Sequence, residues 1–158
     1  MIGALAALAA LLLASGQPAA VPEPEPIVVG ETYTLEALGA DRAVNVMLPS
    51  DYADQPDTSW PIVVQLDGGV DRDLFLGNGL AKWDPLWGRS QPAILVGIQT
   101  VDRQRELLPP TSLAGEREEY PAAGESEAFR TWLADAVLPL LRERYRDNGT
   151  MILLGESA

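Results

Sequence analysis

Hydrophobic and polar positions change their period several times along the chain, and those changes predict the order of elements. In residues 32–38, Tyr33 and Leu35 alternate with polar neighbours, and residues 43–48 repeat the pattern with Val44, Val46 and Leu48 around Asn45 and Met47. A period of two marks a strand with one buried face, and the intervening Leu38-Gly39-Ala40-Asp41 predicts a hairpin turn. Two later runs, Pro61-Ile62-Val63-Val64-Gln65-Leu66 and Pro92-Ala93-Ile94-Leu95-Val96-Gly97-Ile98, are almost continuously apolar. Such runs suit strands covered on both faces in a parallel sheet.

Between them, residues 71–87 carry Leu74, Phe75, Leu76, Leu80, Trp83, Leu86 and Trp87. They predict a loop and short helix whose aromatics pack on the sheet by default, or else line a cleft. Residues 109–121 read as an acidic loop bounded by prolines. From 125 to 145, Phe129, Trp132, Leu133, Ala136, Val137, Leu140 and Leu141 recur at helical spacing, with acids at the start and arginines at the end to complement the helix dipole. Pro139 lacks a backbone donor and is expected to kink or split that helix. Asp147-Asn148-Gly149 then predicts a turn and residues 151–154 a final strand. Hairpin, strand, connection, strand, helix, strand is an α/β order with a parallel core.

The amino terminus stands apart from this pattern. Residues 2–14 are almost unbroken Ala and Leu, too short to span a bilayer and of the length of a secretory signal's apolar region. Small residues at 14–16 and 18–20 offer cleavage sites, although no basic residue precedes the apolar run. Residues 1–20 are therefore expected to be a signal peptide directing a periplasmic or secreted protein, and residues 21–30, where proline alternates with acid, an extended linker. Residues 31–158 form the domain. The chain has no cysteine, so this segment offers no lipoprotein anchor and no disulfide framework, and no stable membrane attachment is expected after cleavage. A net charge of −12 argues against nucleic-acid phosphates and anionic lipid as partners.

Candidate chemistry lies at the ends of the apolar runs. Met151-Ile152-Leu153-Leu154 leads into Gly155-Glu156-Ser157-Ala158, four of the five positions of a nucleophile elbow, a tight strand-to-helix turn that raises a serine hydroxyl above the sheet. Small residues flank the serine because the turn brings backbone segments close together. The 61–66 run ends in Asp67-Gly68-Gly69, whose amides could donate to an oxyanion, or which could be a plain turn. Both sequences fall at the carboxyl edge of a parallel sheet, where one site can use both. The 92–98 run ends in a charged stretch, residues 99–107, at the same edge. The chain contains no histidine, so the usual imidazole base of a serine hydrolase is not among these residues.

Four segments, in order, resemble the esterase-D-like branch of the α/β-hydrolases, which includes siderophore-cleaving enterochelin esterases and other carboxylesterases. They are Arg42 to Pro49 with Tyr52; Pro61 to Gly69; Val96-Gly97-Ile98-Gln99 with the Arg103-Gln104-Arg105-Glu106-Leu107 run and Pro109; and Leu138-Pro139 through Arg146 followed by Gly155-Glu156-Ser157-Ala158. The resemblance covers roughly residues 31–158 and implies the amino-terminal part of an α/β-hydrolase fold ending at the nucleophile elbow. It further implies Ser157 as nucleophile, the Ala158 backbone N–H as one oxyanion donor, an N–H of the Gly68-Gly69 loop as the other, and no cofactor or metal. The expected reaction is hydrolysis of a carboxylic ester through a serine acyl-enzyme. In that family the acid and the histidine follow the serine, so these 158 residues alone are expected to be inactive. A non-catalytic binding module, or an acyltransferase of the same fold, is the alternative. The partner expected is a small-molecule ester, with siderophores among the candidates, for which Arg103 and Arg105 with Trp83 and Trp87 could supply a cationic, aromatic cleft.

Overall fold

The computed structural model describes residues 21–156. The expected signal peptide, Ser157 and Ala158 lie outside the described residues. Five strands form one sheet in the order β1-β2-β4-β3-β5. β1 (Glu31–Ala37) and β2 (Ala40–Met47) are an antiparallel hairpin. Its two-residue turn, Leu38-Gly39, has positive φ at both positions, the backbone that matches the twist of the flanking strands. β2 pairs antiparallel with β4 (Ile94–Ile98), and β4, β3 (Trp60–Gln65) and β5 (Asp147–Leu154) run parallel. The α/β class with a parallel core and an amino-terminal hairpin is therefore observed.

Alternation along the strands sorts side chains between two faces. One face gathers Val44, Val46, Ile62, Val64, Val96 and Ile98 against Phe129, Val137 and Leu141 of the long helical stretch. That stretch consists of α4 (Ser126–Trp132), one π-helical turn (Leu133–Val137) and α5 (Leu138–Arg144). Pro139 sits in the first turn of α5, directly after the π turn. There its missing donor is absorbed by a local widening of the ladder, so the run is split in register without being broken.

The opposite face is thinner. Met47, Leu95 and Leu74 form its buried cluster beneath α1 (Leu74–Leu86). The expectation that the aromatics of 71–87 pack on the sheet is overturned: Phe75, Trp83 and Trp87 are exposed, as are Leu76, Leu80 and Leu86. The helix instead offers Leu74, Gly77 and Ala81 to the sheet, spaced by a turn or two of helix. A Cβ at Gly77 would collide with the Gln65 side chain, so the small residue sets a close approach that turns the bulky ones outward. Two short helices, α2 (Arg103–Leu107) and α3 (Ala114–Glu119), occupy the crossover from β4. The second of them replaces part of the loop expected at 109–121. Asp147-Asn148-Gly149 is both turn and strand: Gly149 has φ +84° and its N–H donates to Asp147 Oδ1 at 2.8 Å, while Asp147 pairs with Trp60. Two positions of β3 thus span four of β5, between Trp60↔Asp147 and Ile62↔Met151.

Candidate active site

The three parallel strands deliver their carboxyl ends to one edge. β3 ends in Leu66-Asp67-Gly68-Gly69, β4 in Gln99-Thr100, and β5 in Gly155-Glu156, directly before Ser157. A cavity of about 760 Å³ opens at this edge, with Asp67, Arg103, Leu154, Gly155 and Glu156 in its wall.

Asp67 is the pivot of the β3 loop. It is 7% exposed and holds φ +55°, a left-handed backbone conformation in which aspartate is tolerated better than most residues. Such a conformation persists where surrounding contacts over-determine it. Here Thr100 Oγ1 donates to Asp67 Oδ1, Arg103 Nε donates to Oδ2 at 2.7 Å, and the Asp67 carbonyl accepts from Asp73 N–H. Arg103 also reaches the neighbouring strand end, with Nη2 donating to the Glu156 carbonyl at 3.1 Å. One guanidinium fork therefore joins the residue before the paired glycines to the residue before the serine. Arg103 is itself positioned by α2, whose Asp102 caps the helix by accepting from Arg105 N–H.

The paired glycines lie flush against the sheet. A Cβ on Gly68 would clash with the backbone of Gly97 in β4, and a Cβ on Gly97 would lie 2.5 Å from the Gly68 carbonyl oxygen. The Gly68 N–H donates to the Ile98 carbonyl at 2.8 Å and is thereby engaged in holding the loop. The Gly69 N–H has no hydrogen-bond partner among the described residues, although Gly69 is buried. Of the two glycines singled out by sequence, Gly69 is the one with a donor to spare.

Arg105 is placed elsewhere. Its Nε pairs with Glu125 Oε1 at 2.8 Å, which raises its pKa, first through that hydrogen bond and then through the charge of Glu125. This ties α2 to the start of α4, and Arg105 is not in the cavity wall. Trp83 and Trp87, exposed at the end of α1, meet in a tilted contact with ring centroids 5.7 Å apart and are also absent from that wall. Three contributors were not singled out in the sequence. Thr100 orients Asp67, while Arg42 and Glu106 form a buried ion pair at 2.6 Å beneath the loop that carries Arg103. Glu106 additionally accepts from the Val101 and Asp102 N–H groups, fixing that loop from below. The legible signal was the charged run itself, whose buried member could not be told from its exposed ones. Among the described residues no group of three or more acidic, histidine or cysteine side chains could hold a metal ion.

A sheet with a parallel core fronted by an antiparallel hairpin, with a glycine loop after one strand and the sequence Gly155-Glu156-Ser157-Ala158 following its neighbour, defines an α/β-hydrolase-like protein. The chain belongs to the Esterase family, whose model, described as Putative esterase, matches residues 36–158. It is similar in fold to the IroE-like serine hydrolase from Shewanella oneidensis (24% identity, TM-score 0.62, covering 80% of this chain and 42% of that one). It is similar also to the siderophore hydrolase EstA from Aspergillus nidulans (17% identity, TM-score 0.70, covering 89% and 53%). The enterobactin esterase FES from Shigella flexneri shares the fold as well (16% identity, TM-score 0.59, covering 84% and 31%). The chain thus spans between 31% and 53% of the length of these three structures. No curated protein matches it.

Proposed function

We propose that this chain supplies the nucleophile and the oxyanion-binding edge of a serine carboxylesterase. The observation that carries the reading is Arg103, which links the Asp67-Gly68-Gly69 loop to Glu156, the residue before Ser157. Two loops of different strands are held side by side as a nucleophile and an oxyanion donor must be. Membership of the Esterase family supports the same reaction class.

In this reading Ser157 Oγ attacks the ester carbonyl carbon while its proton passes to a base. The negative charge collects on the carbonyl oxygen, facing the N–H groups of Ala158 and Gly69. Collapse expels the alcohol, which takes the proton from the base, and water then releases the acid from the acyl-serine by the same two steps. With no histidine in the chain, an imidazole base has to come from outside these 158 residues. The 158-residue chain alone is accordingly expected to be inactive. The Ala- and Leu-rich residues 2–14 and the linker at 21–30 support export to the periplasm or beyond, and no helix of the described residues is long and apolar enough to cross a membrane.

The substrate is a small-molecule carboxylic ester. Two fold neighbours carry siderophore or enterobactin hydrolysis in their names, which makes siderophore esters, enterobactin among them, the first natural substrates to try. The test is p-nitrophenyl butyrate hydrolysis by the protein expressed from its native gene, beside its Ser157→Ala variant and the 158-residue chain. Turnover that falls by a factor of about 10⁴ or more in Ser157→Ala supports the reading. Turnover unaffected by that substitution, or turnover by the 158-residue chain that depends on Ser157, contradicts the corresponding part of it.

A further inference from the structure

Asn45 is a polar side chain in a core strand, only 2% exposed, flanked by Ala43, Val44, Val46 and Met47. The requirements of the sheet do not explain it, because a ladder needs only backbone groups. Its amide is fully oriented by two partners. Thr32 Oγ1, on the paired residue of β1, donates to Asn45 Oδ1 at 2.8 Å, which fixes which end of the amide is the acceptor. The other end, Nδ2, donates to the carbonyl oxygen of Gly68 at 2.9 Å.

The geometry around that contact is cleared for it. Asn45 is paired across the sheet with Gly97, so the two share one face. Gly97 is where a Cβ would meet the Gly68 carbonyl, and its absence lets that carbonyl descend onto the strands and come within reach of Asn45. The Gly68 carbonyl and the Gly69 N–H belong to one planar peptide unit. The described chain has no cis peptide bonds. In a trans peptide the C=O and N–H vectors are antiparallel. A carbonyl pinned down toward β2 therefore turns the Gly69 N–H away from that strand. Donation to a peptide carbonyl also polarises the unit and strengthens its N–H as a donor.

We propose that Asn45 is a positioning residue for the oxyanion hole: it holds the Gly68-Gly69 peptide in the orientation that offers the Gly69 N–H to the developing oxyanion. The inference rests on the esterase reading above and deepens it. Asn45 touches no reacting atom. It acts through the peptide, and Thr32 acts through Asn45.

The test uses the protein expressed from its native gene, with Asn45→Ala as the main substitution and Thr32→Val, at an exposed position, as a milder one that leaves the core filled. Removing an oxyanion donor lowers kcat by about 10²–10³-fold, so loss of its alignment should lower kcat by roughly 10–100-fold in Asn45→Ala, with KM changed less than about 3-fold. A trifluoromethyl ketone, which forms an oxyanion on the serine, should lose affinity by the same factor as kcat. Thr32→Val should show the same split at smaller size. Active wild-type protein whose Asn45→Ala variant keeps its kcat overturns the inference and leaves the esterase reading intact. A loss of kcat in Asn45→Ala shared by KM and thermal stability, with Thr32→Val silent, shows a folding role and likewise overturns it. If the wild type hydrolyses no ester, the esterase reading fails first, and the amide ¹H–¹⁵N resonance of Gly69 then decides. Movement of that resonance in Thr32→Val upholds the control of the peptide, and no movement overturns it.

Discussion

At the scale of single residues, the site depends on a few backbone approaches and on one guanidinium. Gly97→Ala would put a methyl group 2.5 Å from both the Gly68 oxygen and Leu74 Cδ1. Overpacking of this kind costs about 1–3 kcal/mol, so urea unfolding should show a loss of that order, with the β3 loop displaced. Arg103→Met removes the link between Asp67 and Glu156. Ester hydrolysis by the protein from its native gene should fall by about 10–100-fold in kcat/KM, a transition-state loss of roughly 1.4–2.7 kcal/mol. Arg103→Lys should recover only part of it, because a point ammonium cannot span two acceptors as a planar fork does. Ser157 and the paired glycines were singled out from short motifs whose weight came from their order along the chain, since the Asp67-Gly68-Gly69 loop by itself reads equally as a plain turn. Arg103 was named from sequence as a candidate substrate contact, and in the structure it pairs with the Asp67 carboxylate and the Glu156 carbonyl. Arg105, two residues on, looked equivalent and turns instead to Glu125; the roughly half turn of helix that separates them is invisible in composition. Asn45 was visible only as a polar position in an alternating run.

At the scale of elements, the loop after β4 is anchored by charge. Arg42 and Glu106 are each 1% exposed in their side chains, and Arg42 also donates to the carbonyls of Ala37 and Ala40 at the hairpin end. The pair thereby fastens the β1–β2 turn to α2. Removing one partner strands a buried charge, so Glu106→Ala should destabilise the fold by about 3–5 kcal/mol, and the double variant Arg42→Met/Glu106→Leu by less than that single change. Urea denaturation of the three proteins checks the order. A second fastening joins β1 to the end of α5. The Tyr145 hydroxyl donates to Glu31 Oε2 at 2.6 Å and lies 2.9 Å from the Tyr33 hydroxyl. Burial chiefly, and then the hydrogen bond to Glu31, raises the Tyr145 pKa. The folded state therefore favours the neutral phenol. Its contribution is fully present below the ordinary tyrosine pKa of about 10 and is lost as pH rises beyond it. The thermal midpoint should fall between about pH 9.5 and 11, and less so in Tyr145→Phe. The apolar runs of β3 and β4 and the long helical stretch were legible because burial on both faces and a 3.6-residue period leave strong patterns. α1 was misread because its sheet-facing side beyond Leu74 is made of Gly77 and Ala81, small residues whose closeness to the sheet leaves little hydrophobic signal.

At the scale of the whole molecule, the order of elements sufficed for the α/β class, and four segments in sequence sufficed for the family. What the pattern could not supply was which surfaces stay open. Met151, Ile152, Leu153 and Leu154 are all exposed on β5, the last strand in the sheet order, and the bulky side chains of α1 are exposed as well. An apolar strand with an open edge is prone to self-association. Light scattering by the 158-residue chain should therefore drop in Leu153→Lys, whose charge projects from that strand. The proposed chemistry centres on the hydroxyl of Ser157. Its most direct test is intact and peptide mass spectrometry of the protein expressed from its native gene after treatment with a fluorophosphonate, which traps an activated serine as a covalent adduct. The account predicts one adduct, on the peptide containing Ser157, absent from Ser157→Ala. An adduct on a different residue, with ester hydrolysis undiminished in Ser157→Ala, would contradict it.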